Sequence, residues 1–424
     1  MNTPEPAIKK FTFEKALEIS VIAYQAIAIV VFISLAIFAS NWWKTPFIGA
    51  FVEQTMSFNG VGPTRTDDQP WELYKAPVEL YEYLLEIDGQ TVRNAGDMQD
   101  VLSSHNVGEE VTLTYQNTAE QEEQITIELF NFPQTDKLSY FYIPYFIGLV
   151  YLAIGAWMTS MRVKESAGRS FIIFANSLAL GAAGLFDVYT THNLTYLWTF
   201  AIAMAGASLL DLAFSFPREF PFLRKQPNYH RVPYVIALIL FLIALPDIYN
   251  LQEPANYVLK WRYIYGFTGT SIFAFIGILF YRSYTEKSPI AKQQINLMRW
   301  GISISFAPIG IWMFISFFKS LNFSPYLLIT AIIFPIVTGY AFLRFQLSKV
   351  DFIVTRGVLI LILSVLATLG YGTIVWGLAT ITGEIIPANN PLLLAVLVSL
   401  IAIASIRPLY NRLETFIDSI AFKG

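Results

Sequence analysis

Few side chains in this sequence have the type and spacing to do chemistry. A zinc site of the intramembrane-protease kind needs His-Glu-x-x-His, two ligands one helical turn apart with a base beside them. The three histidines, His105, His192 and His230, stand isolated from one another, and no metal site is expected. The chain contains no cysteine, so thiolate ligands, thiol nucleophiles and disulfides are excluded, and the redox state of its compartment cannot be read. Ser208, in Gly206-Ala207-Ser208, has no histidine placed to act as its base. The small-residue run AMAGAS (203–208) reads instead as a surface for close helix packing. Nucleotide chemistry has no foothold: G-x-x-x-x-G-K-[ST] and GxGxxG are both missing. So are a phosphoacceptor histidine followed by an acidic residue and the glycine-rich boxes of an ATP lid. No catalytic residue and no cofactor are expected in residues 1–424.

What remains is a small set of acids in apolar surroundings. Asp211, in SLLDLAFSFP, falls inside an apolar run about one to two turns from its end. A charge at membrane depth costs at least ~2.5 kcal/mol on insertion scales, so it is a functional candidate. The plainer reading is an acid that orients helices through local bonds. Asp187 reads as interfacial, and Glu14 and Glu18 as solvated residues flanking the first run.

The elements that must position these residues are helices in a membrane. The 424 residues are 55% hydrophobic and 14% charged, against roughly a quarter charged in soluble domains. Apolar runs of about twenty residues recur, the length that crosses ~30 Å of hydrocarbon. Ten spans are expected: 18–40, 140–161, 170–190, 194–216, 232–249, 262–282, 300–318, 325–343, 357–380 and 391–406. The first lacks a small-residue cleavage site and is read as uncleaved. With the N-terminus inside, 20 of the 28 basic residues fall in inner segments. The positive-inside rule therefore puts both termini in the cytoplasm of a cell membrane. Pro308 and Pro335 suit kinks in the seventh and eighth spans.

Residues 41–138 form the one long hydrophilic stretch, with 17 acidic and 5 basic residues and a net charge near −12. That charge suits cationic partners, and no nucleic-acid partner is expected. Residues 81–87 read as a strand entering an Asp88-Gly89 turn, and 95–106 as a helix ended by Val107-Gly108. Alternation at Val111, Leu113, Tyr115 and at Ile125, Ile127, Leu129 around NTAEQEEQ makes a hairpin. This order, with the words LLEIDGQTV and DMQDVLSSHNVGEEVTLTY, resembles a PDZ domain. The resemblance implies that Pro46–Glu53 supplies the carboxylate-binding loop, at Phe47, Ile48, Gly49, Ala50 and Phe51, and a second strand. An extended peptide would add there as a strand. The alternative is a rigid spacer or dimer contact.

Leu409, Leu413, Phe416 and Ile420 are spaced 4, 3 and 4 after the last span. They form either a two-stranded exit seam or an amphipathic helix on the inner leaflet. Several words resemble the membrane sensor halves of ComP-type bacterial histidine kinases: FVEQT (51–55), LDLAFSFPREFPFLRKQP (210–227), ISFAPIGIW (304–312), YAFLRFQLSKVDFIVTRGVLILILSVLATLGYG (340–372) and LYNRLETFIDSIAF (409–422). The resemblance implies a polytopic α-helical sensor with a small α+β PDZ-like extracytoplasmic domain. Its expected parts are a cytoplasmic start and first helix at 1–40, the domain at 41–138, a nine-helix bundle at 139–406 and an exit helix at 407–424. The implied partners are the lipid bilayer, an extracytoplasmic peptide, a cytoplasmic kinase or effector and a second copy in a homodimer. The alternatives are a secondary transporter, or a membrane scaffold or regulator with a PDZ-like peptide-binding domain. Against transport, no span carries paired charges, and broken spans do not recur in two halves.

Overall fold

A computed structural model of the chain describes residues 5–63, 71–75, 78–79, 82–319 and 321–338. The ninth and tenth expected spans, the end of the eighth, and Leu409, Leu413, Phe416 and Ile420 lie outside the described residues.

The first helix, α1 (Glu5–Trp42), runs through an unbroken apolar sequence and stops just before Thr45-Pro46. A residue preceding proline is held out of the α region. The Thr45 hydroxyl donates to the Trp42 carbonyl at 2.6 Å and satisfies one of the terminal acceptors. A small α+β domain follows. It contains α2 (Glu72–Lys75), β1 (Tyr83–Ile87), β2 (Gln90–Thr91), α3 (Ala95–Ser103), β3 (Glu110–Gln116) and β4 (Glu122–Glu128). The sheet is antiparallel in the order β2-β1-β3-β4, with Ile87 opposite Leu113 and Val111 opposite Ile127. The β1–β2 turn has positive φ at Asp88 (48°) and Gly89 (74°), the backbone that an Asp-Gly hairpin requires. Asp88 Oδ1 also accepts from the Thr112 N–H at 2.7 Å, which fixes the turn to β3. Helix α3 starts at Asn94, whose side chain accepts from the Asp97 N–H. The Asp97 carboxylate in turn accepts from the Arg93 N–H. Leu84, Ile87, Val101, Leu102, Leu113 and Leu129 form the core with Ile48, Val52, Met56 and Phe58 of the preceding segment. The 46–53 segment pairs through isolated bridges, Phe47 with Phe130 and Val52 with Phe58, rather than as a continuous strand.

The helical bundle comprises α4 (Gln134–Lys137), a π turn (Leu138–Tyr142), α5 (Ile143–Arg162), α6 (Ser166–Ala183), α7 (Leu185–Tyr189), α8 (Thr195–Ser215), α9 (Pro221–Lys225), α10 (Val232–Ala244), α11 (Asn256–Thr285) and α12 (Pro289–Phe318). Among the described residues six stretches are long and apolar enough to cross a membrane: Glu14–Trp42, Gln134–Arg162, Thr195–Ser215, Pro227–Ala244, Asn256–Thr285 and Pro289–Phe318. The third expected span is instead two helices, α6 and α7, jointed at Gly184. The eighth opens as a 3-10 segment (Pro325–Ile332), the more tightly wound helix that occurs in short pieces at helix ends. Apolar side chains such as Val30 (63% exposed) and Leu242 (53%) lie on the outside of α1 and α10. Faces of this kind are stable against hydrocarbon rather than water, and the protein is a polytopic helical membrane protein.

Helix α1 packs on α5 and α6, α6 on α8, α8 on α10 and α11, and α11 on α12. Small residues let α8 and α11 approach: a Cβ at Gly206 would lie 2.9 Å from the Thr268 Cα. The AMAGAS run serves packing here.

Candidate functional site

The segment after α1 joins the α+β domain to the bundle. Phe47, Ile48, Ala50 and Phe51 are 1%, 0%, 8% and 1% exposed, and Gly49 between them turns with φ 85°. The structure brings these five residues together, with the side chains of four packed inward. The Phe47 and Phe51 rings meet Trp71 edge-on at 5.1 and 4.9 Å, and Phe51 stacks on Tyr189 of α7 at 5.4 Å. Aromatic pairs of this geometry contribute about 0.5–1.5 kcal/mol each beyond area burial. The Phe47 N–H donates to the Phe130 carbonyl at 2.7 Å, so that donor is already engaged.

Further along, the same segment is fastened to the helices by hydrogen bonds. His192, in the α7–α8 loop, meets the Val52 carbonyl at 2.7 Å through Nε2. A carbonyl can only accept, so the ring carries its proton on Nε2. Burial pushes this imidazole down to about 4, which keeps it neutral. The Thr55 hydroxyl donates to the Pro254 carbonyl at 3.0 Å, and Asn322 Nδ2 donates to the Gly60 carbonyl at 2.6 Å. The Tyr140 hydroxyl donates to the Gly62 carbonyl. Asp187, read from sequence as interfacial, accepts from the Asn193 and Leu194 N–H groups (3.2 and 2.9 Å) and holds the His192 loop in shape.

Between this segment and the helices lie two adjoining cavities of about 150 and 100 Å³. Glu53, Tyr189, Trp261, Tyr265, Trp312 and Phe323 line both. Trp261 and Tyr265 stand one turn apart on α11, and Trp312 comes from α12. Glu53 is set by a tight turn: its N–H donates to the Ser57 carbonyl (2.8 Å) and its carbonyl accepts from the Met56 N–H (2.9 Å). Glu53 Oε1 accepts from Asn59 Nδ2 at 2.5 Å. The residue keeps some exposure elsewhere, but Oε2 is shut off from solvent, and the Tyr257 side chain of α11 stands beside the carboxyl as a second hydrogen-bonding neighbour. Burial lifts this carboxyl from 4.5 to about 7, with Tyr257 and Asn59 pulling the other way. Sequence reasoning did not single out Glu53 among the 17 acids of its stretch. Its one local mark is the apolar run PFIGAFVE that leads into it.

At the far end of α8, Asp211 is 4% exposed and multiply bonded. Its Oδ2 accepts from the Ser170 hydroxyl at 2.5 Å and the Tyr234 hydroxyl at 3.3 Å, and Oδ1 meets His230 Nδ1 at 2.6 Å. His230 is therefore not isolated, as its sequence context implies, because the α8–α10 connection folds it back onto Asp211. Its Nε2 stands 3.6 Å from Glu219. The cluster ties α6, α8 and α10 together, the role of a helix-orienting acid. The Ser208 hydroxyl donates to the Met204 carbonyl of its own helix at 2.6 Å. Glu14, expected to be solvated, pairs with Arg169 at 3.0 Å.

Comparison of the chain with protein-family models, with curated proteins and with solved structures gave no match in any of the three. The likeness to ComP-type sensors rests on the sequence words that carry it.

Proposed function

We propose that this chain is the signal-sensing membrane module of a two-component sensor histidine kinase. In this reading it has about ten spans, both termini in the cytoplasm and a PDZ-like domain outside the cell membrane. The observation that carries the reading is the fastening of the 47–62 segment to the helices, with the Glu53 cavity between them. A ligand in that cavity touches the domain-side segment and α7, α11 and α12 at once. It can therefore bias two arrangements of the bundle by its differential affinity for them. A detached peptide-binding scaffold has no need of such a joint. The output is relative movement of the helices that continue past residue 406 toward a cytoplasmic kinase in a homodimer.

The test uses cysteines introduced at Leu409 and Leu413 in an otherwise cysteine-free chain. Crosslinking between copies in membranes should change with stimulus. No crosslink at either position under any condition sinks the dimeric-output model. Accumulation of a substrate in proteoliposomes would favour the transporter class instead.

A further inference from the structure

A carboxylate closed off from bulk solvent beside a cavity lined by aromatic residues is a recognisable arrangement. Removing a carboxylate from water without a partner is costly, and the cost is met by a proton or by a cation. Aromatic faces are negative and the ring edges positive, so a ring that turns its face to a site attracts a cation there. In the smaller cavity Glu53 is the one charged side chain among the described lining residues, and Trp261, Tyr265, Trp312 and Tyr189 surround it. The wider cavity adds a single further charge, Arg262, on the α11 wall. Size narrows the choice, since an apolar cavity of about 150 Å³ admits a molecule like benzene. A compact head fits here, and a folded peptide segment does not.

We infer that the Glu53 cavity binds the ammonium group of an amine, protonated or quaternary, with the Glu53 carboxylate as counter-ion and Trp261, Tyr265, Trp312 and Tyr189 as walls. The inference deepens the sensor reading and rests on it only for the signalling step that binding would trigger. The ammonium group sits in the cavity beside the Glu53 carboxylate, which Asn59 and Tyr257 hold in place. Any anionic part of the ligand falls toward Arg262. The titratable groups facing Glu53 are Tyr189 from α7 and Tyr257, Arg262 and Tyr265 from α11, with neutral His192 in the adjoining loop. The tyrosines and Arg262 keep their charge between pH 6 and 8 at their ordinary values, and His192, pushed down to about 4 by burial, stays neutral there. Cation binding should therefore follow Glu53 alone, strengthening as pH rises through about 7.

The test is direct titration of the full chain in maltoside micelles, which contain no ammonium group, followed by calorimetry and by tryptophan fluorescence. The probes are choline and phenethylammonium, each against an uncharged isostere (3,3-dimethyl-1-butanol and 2-phenylethanol). At pH 8 at least one cation should bind roughly tenfold or more tighter than its isostere, the scale of a desolvated cation–π contact. The preference should shrink at pH 6. Glu53→Gln should remove both the preference and its pH dependence while leaving isostere binding in place. Equal binding of cation and isostere in the wild-type chain overturns the proposal. So does no binding of either cation, or a preference that survives Glu53→Gln. Nanodiscs of phosphatidylglycerol with and without phosphatidylethanolamine then identify the source of the amine. Loss of probe binding only with phosphatidylethanolamine assigns the site to a lipid headgroup, and unchanged binding assigns it to a free amine. Binding is read without reference to crosslinking at Leu409, so a failed cation site and a failed sensor output give different results.

Discussion

Replacing Glu53 with glutamine should stabilise the protein at alkaline pH and not at acid pH. In the native chain the carboxyl sits at about 7 against 4.5 in water. At 1.36 kcal/mol per tenfold change in proton affinity, holding the ionised form in place costs about 3 kcal/mol. Below 4.5 the group is protonated whether folded or unfolded, and the cost is absent. Between 4.5 and 7 the folded state binds more protons than the unfolded state, so stability falls as pH rises, and above 7 the full cost is present. The amide has the same shape and still offers an oxygen to Asn59, but it never ionises. The stability gap between Glu53→Gln and wild type should therefore grow by about 3 kcal/mol from pH 4.5 to pH 8. Equilibrium denaturation of both proteins, side by side in the same detergent, measures it. The gap must be read as a difference, because His192 works the other way. Its neutral form is favoured down to about 4, so its contribution is present above 6.5 and lost as pH falls. The two effects oppose each other in the wild-type chain, and Glu53→Gln leaves the His192 effect exposed. A gap that stays constant within about 1 kcal/mol over this range refutes the buried-carboxylate account.

Three further outcomes are expected from the packing. Asp211→Ala should destabilise by about 3 kcal/mol or more, because it leaves His230, Ser170 and Tyr234 without their shared acceptor; thermal unfolding in detergent checks it. Ser208→Ala, by contrast, should change stability by less than about 1 kcal/mol, since its hydroxyl bonds only its own helix. Gly206→Val should cost about 1–3 kcal/mol by driving α8 from α11, read as a lowered unfolding midpoint, because its Cβ has no room beside Thr268.

The parts of the fold that were legible in the sequence are those with local causes. Asp88-Gly89 selects its turn through backbone sterics, and the alternation of Val111, Leu113 and Tyr115 reports one buried sheet face. Apolar length alone marked six of the spans. The joint at Gly184 was invisible because glycine is ordinary in membrane helices, and only packing decides whether it bends one. The candidate site was hidden for a stronger reason. Glu53 shares its cavity with Trp261, Tyr265 and Trp312, more than two hundred residues later, and no local pattern encodes that meeting. His230 reaches Asp211 across nineteen residues of connecting chain in the same way. The PDZ resemblance marks Phe47–Phe51 as a carboxylate-binding loop from its place in the order of elements, and no local pattern foretells that Phe51 stacks on Tyr189 of α7.

That seam sets how the α+β domain moves in solution. A domain strung between two flexible linkers reorients on its own nanosecond clock, whatever the size of the particle it is attached to. Held by Val52, Thr55, Gly60 and Gly62 to three interhelical loops and the π turn before α5, this one has no such freedom. Its backbone amides should share the slow rotational correlation time of the whole detergent or lipid particle. Any force applied to the domain is then a torque on the bundle.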